Sequence, residues 1–185
     1  MGNRGVIHKD KKIVKAFNHK AWITCLLEFK GRKRTVMTPG RWTELFFLDE
    51  ATAFAAGHRP CFECRREDAM RFKSFWIRGN AAHNFHMRTS IQLIDNIIHS
   101  ERIDYNKEKV IHERRLSDLP AGTFVLLDDE PFVFNKNRLH RWTPFGYEES
   151  ILLDPNSRLT VLTPCSFVNA FKAGYVPHIA GSNST

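Results

Sequence analysis

The chain has 185 residues, 42% hydrophobic and 26% charged, enough for one well-packed domain or two small ones. No run of about 18 apolar residues occurs, which argues against a membrane-spanning helix, and the basic first 20 residues lack the apolar stretch of a secretory signal. The net charge of +8 is concentrated: residues 1–41 hold 11 Lys and Arg against two acids, Asp10 and Glu28, a balance of +9 that leaves −1 for the remainder.

Charge gathered in so short a stretch suits a polyanion, whose phosphates it neutralises with release of counterions. The competing role for it is a solvated, solubilising arm. Residues 1–20 read as such an arm, with one helical turn around Ile13, Val14 and Phe17. Residues 22–29 (WITCLLEF) are apolar and β-branched and predict a strand, with residues 34–37 as its return partner across a turn near Gly31. Residues 43–48 (TELFFL) predict a third strand. Asp49 is placed to cap a short helix over 50–56, which Gly57 closes.

A helix over 67–78 follows, with Phe72, Phe75 and Trp76 on one side, stopped by Gly79 and Asn80. Ser90 caps a third helix, where Ile91, Ile94 and Ile98 form an apolar stripe. Residues 104–109 are polar and aperiodic and make the best boundary in the chain. Beyond them the texture is β: short strands over 123–127, 131–134, 139–142 and 159–163, with turns at 128–130 and 135–137, and a last helix over 166–172. The expected class is α+β, with a basic Cys-rich domain over 1–80, a helical connector over 81–104 and a β-rich domain over 105–185.

The most informative segment is Gly57-His58-Arg59-Pro60-Cys61-Phe62-Glu63-Cys64-Arg65-Arg66. A C-x-x-C pair on a tight, proline-led turn points two sulfurs at one ion, and the flanking cations favour thiolate. Four cysteines without a secretory signal indicate a reducing, cytoplasmic compartment, where a close pair serves metal or redox chemistry more often than a structural bridge. The redox option asks for a preceding strand, whereas a helix and turn are expected before Cys61.

The run from Phe46 and Phe47 through the Ala-rich helix to Arg59-Pro60-Cys61 and Cys64-Arg65 resembles the zinc-binding domain of Ada-type DNA alkylation-repair proteins, in outline over residues 20–80. The second half resembles only uncharacterised bacterial sequences. In that family four cysteines hold one zinc, in an early and a late pair. The resemblance puts the late pair at Cys61 and Cys64 and an early ligand at Cys25. The family's second early cysteine falls at Phe29, a departure that leaves the fourth position to His8, His19 or His58 in a Cys₃His shell. The alternative is a domain that has lost its metal, with Cys25 a buried strand residue.

In the family the first early cysteine accepts a methyl group from a DNA phosphotriester, a role only Cys25 is placed to take here. A neutral histidine in the shell makes the sulfurs less nucleophilic, and no alkyltransferase domain follows. Cys165 reads as a core or helix-start residue. His83, His86, His99 and His112, with Asp95, Glu101, Asp104 and Glu113 near them, offer a metal-dependent hydrolase site, although no recognised ligand spacing is present. Arg32, Lys33, Arg34, Arg41, Arg59, Arg65 and Arg66 bracket the proposed knuckle, interleaved with Trp22, Trp42 and Phe62, as in modules that hold phosphates with arginine and bases with aromatic rings. The expectation is a nucleic-acid-binding protein with structural zinc, DNA preferred over RNA, ahead of an enzyme or a module docking an acidic protein.

Overall fold

A computed structural model of the chain describes residues 1–31 and 35–181. The N-terminal arm forms two small β elements in place of the expected helical turn. Strand β1 (Gly2–Asn3) is followed by the hairpin of β2 (His8–Lys9) and β3 (Lys12–Ile13). Its two turn residues, Asp10 and Lys11, both have positive φ, at 51° and 59°. That is the geometry whose twist matches a two-residue hairpin, and aspartate tolerates it well.

The strand expected over 22–29 contracts to β4 (Ile23–Thr24). After Cys25 the backbone leaves the sheet, exposing Leu26 and Leu27 and carrying the Leu26 N–H to the Cys64 sulfur. Residues 35–37 of the expected return partner form no strand. Met37 sits at positive φ and its N–H donates to Glu44. The third expected strand reduces to a single bridge between Leu45 and Gly2. In place of an antiparallel return across Gly31, β4 pairs antiparallel with β1 and parallel with β5 (Arg59–Pro60). Helix α1 (Glu50–Ala55) lies in the connection that parallel pairing requires.

Helix α2 (Arg66–Gly79) follows the Cys knuckle, and α3 (Ile91–Arg102) starts at Ser90, whose hydroxyl accepts from the Gln92 N–H. The second half is a six-stranded antiparallel sheet: β6 (His112–Arg115), β7 (Phe124–Leu127), β8 (Glu130–Asn135), β9 (Arg138–Thr143), β10 (Gly146–Ile151) and β11 (Arg158–Val161), in spatial order β10-β9-β8-β7-β11-β6. Strands β6 (HERR) and β10 (GYEESI) are unforeseen, because neither shows the apolar alternation that marks a half-buried strand. Helix α4 (Cys165–Lys172) closes the fold.

Residues from all three expected segments meet in one core cluster: Phe54 of α1, Phe72 and Trp76 of α2, Ile94 and Ile98 of α3, and Phe167 and Phe171 of α4, with Tyr175. The helix at the far end of the chain thus packs inside the N-terminal half. Gly79 permits the closest of these approaches, since a Cβ there would stand 2.2 Å from the Asn169 carbonyl oxygen. A second cluster lies on the sheet around Val125, Leu139 and Val161, and a third joins α1 to it through Ala51, Ala55, Phe124 and Val133.

Polar ties reinforce the junction. Asp49 caps α1, accepting from the Thr52 N–H at 2.7 Å, while its other oxygen accepts from the Tyr147 hydroxyl and the Ala180 N–H. Glu50 accepts from Arg65, the Tyr175 hydroxyl and the His178 N–H. No described helix is long and apolar enough to cross a membrane.

Candidate metal centre

The site is assembled by the parallel pairing of β4 with β5. The Cys61 N–H donates to the Thr24 carbonyl at 3.0 Å, and the next residue on each strand is then a cysteine. Cys25 is pinned from the other side, where its N–H donates to the Met1 carbonyl at 2.7 Å and the Met1 amine donates to its carbonyl at 3.1 Å. After Pro60 the chain turns tightly, with the Arg65 N–H reaching back to the Cys61 carbonyl at 3.0 Å. That turn brings Cys64 round to face Cys25 and Cys61.

The Sγ atoms of Cys25, Cys61 and Cys64 all lie within 4.8 Å of one another, so these residues can hold a metal ion. Tetrahedral zinc with Zn–S near 2.3 Å needs sulfurs roughly 3.8 Å apart, within the reach of this cluster. The backbone also orients the sulfurs. The Glu63 N–H donates to Cys61 Sγ at 3.3 Å and the Leu26 N–H donates to Cys64 Sγ at 3.4 Å. Such donors lower the cost of carrying negative charge on sulfur. The Cys61 thiol is held below the ordinary thiol range, chiefly because Cys25 donates its S–H to it, with the Cys64 and Glu63 N–H groups assisting. The Cys25 thiol is correspondingly pushed up, first by that hydrogen bond and then by burial. Cys25 and Cys61 are buried, while Cys64 is partly exposed and marks the open side.

Two arginines of the motif brace this arrangement. Arg65 donates to Thr24 Oγ1 on β4 and Glu50 on α1, both at 2.7 Å, and to Asp68 on α2 at 2.9 Å. Arg59 makes a paired bond to Asp95 of α3, 2.7 Å on each arm, and donates to the Pro60 carbonyl. Both guanidinium groups expected to face a nucleic acid are therefore committed to carboxylates of this chain. Arg41 and Arg66 are exposed, whereas Arg32, Lys33 and Arg34 lie outside the described residues. Of the interleaved rings, Trp22 is buried and withdrawn from any such stacking role, and Trp42 is 55% exposed.

None of His8, His19 and His58 joins the sulfur cluster. The His8 Nδ1 pairs with Thr43 Oγ1 at 2.6 Å. His58 is wholly buried against Trp22 and Phe47, and its Nε2 accepts from Arg4. Burial holds it far below the usual histidine range, with Arg4 and Arg102 adding to the effect.

The histidine-based hydrolase site is not assembled among the described residues, where the three cysteines are the one cluster of metal-ligating side chains. His83 stacks on Trp76, His86 accepts from the Arg88 N–H, His99 packs on Phe17, and His112 bonds the Thr163 carbonyl. Cys165 starts α4 and accepts from Arg114, apart from the cluster. Glu50 and Asp95 fix the knuckle through its arginines, a role the sequence does not signal: Asp95 reads there only as a neighbour of the histidines and Glu50 only as part of a helix start. The Asp-Glu pair at the start of α1 signals a cap, but nothing local signals a buried ion-pair partner. Comparison of the chain with family models, with curated proteins and with solved structures returns no match.

Proposed function

We propose that this protein binds one zinc ion through Cys25, Cys61 and Cys64 and uses its basic N-terminal face to bind nucleic acid, DNA in preference to RNA. The observation that carries the metal assignment is the convergence of three sulfurs from two segments 36 residues apart, with backbone N–H groups already aimed at two of them. Zinc suits a thiolate-rich donor set better than hard cations do. None of the three candidate histidines joins the cluster, so the fourth position on the Cys64 side is left without a ligand from among them. The metal's work is structural: it ties the N-terminal β elements to the start of α2.

The nucleic-acid assignment rests on charge. Lys9, Lys11 and Lys12 on the β2–β3 hairpin, with Lys15, Lys20, Lys30 and Arg41 beyond it, are all exposed, and Trp42 offers a ring for stacking. The resemblance to Ada-type domains agrees with this use. Methyl acceptance at Cys25 does not follow from it, because that sulfur is buried and Cys64 marks the open side of the cluster.

Two measurements test the proposal. Elemental analysis with thiol titration should give one zinc per chain and one free thiol, Cys165; no zinc and four titrating thiols overturn the metal assignment. Binding to a random duplex should weaken with salt along a log–log slope of about −4 for some four phosphate contacts. A flat salt dependence removes the polyanion role and leaves the metal site standing.

A further inference from the structure

A cavity of about 410 Å³ lies between the N-terminal arm, the C-terminal end of α1 and strands β7, β8 and β9 of the large sheet. Arg4, Arg102 and Lys109 supply its cationic side, and Trp22, Phe124 and Trp142 supply aromatic wall, with no Asp or Glu among the lining residues. The volume is in the range of small-molecule sites, and so is the mixture of apolar wall with a few convergent charges.

The charges here are not neutralised. Among the described residues Arg4, Arg102 and Lys109 make no ion pair, and their hydrogen bonds go to neutral acceptors. Arg102 donates to the Gly57 and Lys20 carbonyls, Lys109 to the Ala55 carbonyl at 2.8 Å, and Arg4 to His58 Nε2 at 3.2 Å. Carbonyls satisfy donors but leave a full positive charge uncompensated. The guanidinium carbons of Arg4 and Arg102 also lie 3.7 and 3.9 Å from the centre of the Trp22 ring, which crowds two like charges around one indole.

The electrostatic consequence appears in all three groups. Burial lowers Arg102 to about 9, Arg4 to about 10 and Lys109 to about 8. Repulsion by Arg4 pushes Arg102 and Lys109 in the same direction. The one carboxylate that offsets Arg102 is Asp95, and it is already paired with Arg59. Two further donors on the walls, Arg102 Nε and Trp142 Nε1, are buried without a partner and add to the positive potential. Lys109 leaves its stem exposed and turns its ammonium inward beneath α1, so the cationic side can be reached from solvent.

We propose that this cavity binds a nucleoside monophosphate, with the phosphate on the Arg4, Arg102 and Lys109 side and the base against the Phe124 and Trp142 wall. A dianionic phosphate supplies the missing counter-charge and several acceptors, and a planar base fits the apolar remainder. The same chemistry is offered by a free mononucleotide and by the 5′-terminal nucleotide of a DNA strand. Only the second source depends on the nucleic-acid role proposed above.

The test is titration of the whole zinc-loaded protein with AMP, adenosine, inorganic phosphate, and a short oligonucleotide with and without a 5′-phosphate. Binding is read by calorimetry and tryptophan fluorescence. AMP should bind at least about tenfold more tightly than adenosine, which lacks the charge-assisted contact, and than inorganic phosphate, which lacks the base against the aromatic wall. Lys109→Gln should weaken AMP by at least about tenfold while keeping the melting temperature, since its stem is exposed. Arg4→Gln is the second variant. Binding of the 5′-phosphorylated oligonucleotide alone assigns the same site to a strand end. Absence of binding by both AMP and the 5′-phosphorylated oligonucleotide, or AMP affinity unchanged in a folded Lys109→Gln protein, overturns the proposal. Neither result bears on zinc content or on the salt slope with duplex.

Discussion

Arg59 and Asp95 illustrate how a side chain read as surface chemistry can serve the interior. Their side chains are 5% and 4% exposed, and the two parallel bonds between them fasten β5 to α3 directly behind Cys61. Desolvating both ions opposes their attraction, so such a pair adds little net stability over well-packed apolar side chains. Breaking it from one side is different, because a full charge is then stranded in the interior. Asp95→Asn should therefore destabilise the protein by about 3–5 kcal/mol. The double replacement Arg59→Met with Asp95→Leu should recover most of that loss. Urea unfolding of the two variants beside the parent protein checks this, and a single replacement that costs no more than the double one refutes it. The same residue explains a limit of the sequence. Arg59 stands in a run of cations, and nothing within ten residues of it reveals that its counter-ion comes from α3.

At the scale of elements, the α2–α4 contact is the most exacting in the molecule. The Gly79 position faces backbone atoms of α4, with the Asn169 carbonyl oxygen 2.2 Å and the Ala170 nitrogen 2.9 Å from where a Cβ would stand. Backbone cannot rotate away as a flexible side chain can, so Gly79→Ala must push the helices apart and loosen Phe72, Trp76 and Phe167. An overpacking cost of about 1–3 kcal/mol follows, despite the higher helix propensity of alanine. Thermal denaturation should show a lowered midpoint, and a raised one would refute the packing argument. Helices were the legible part of this fold. Asp49 and Ser90 act as the caps their side chains advertise, and the stripe of Ile94 and Ile98 is buried. The strands around the metal centre were not legible, because β4 and β5 have two residues each and depend on partners distant in the chain. Apolar content over 22–29 suggested a long strand, but Leu26 and Leu27 are exposed where the backbone turns to meet Cys64. The sulfur cluster itself was legible through the C-x-x-C spacing and the resemblance, as was the loss of a fourth cysteine at Phe29, whereas the failure of His8, His19 and His58 to replace it shows only in three dimensions.

On the scale of the whole molecule, one buried histidine, His58, and three half-buried ones, His19, His99 and His112, sit between elements, and this sets an acid limit on the fold. Burial is the first cause that lowers His19, His58, His99 and His112 below the ordinary histidine range, with His99 brought to about 4. The unfolded chain takes up these protons near pH 6.5, while the native protein resists them. Above that pH both states are neutral at these sites and the histidines contribute no pH dependence. As pH falls below 6.5 the unfolded state binds more protons, so stability declines, and for His99 the decline continues until the native ring protonates near pH 4. Acid also releases metal from thiolates, which would mimic the effect. The measurement therefore belongs on chelator-treated protein, followed by melting midpoint between pH 7.5 and pH 4.5. A progressive fall is expected, and His99→Asn should make it shallower, because one group that distinguishes the two states is gone. A midpoint that stays level across that interval would mean the rings are hydrated in the folded protein, and the packing of His58 and His99 around Trp22 would have to be wrong.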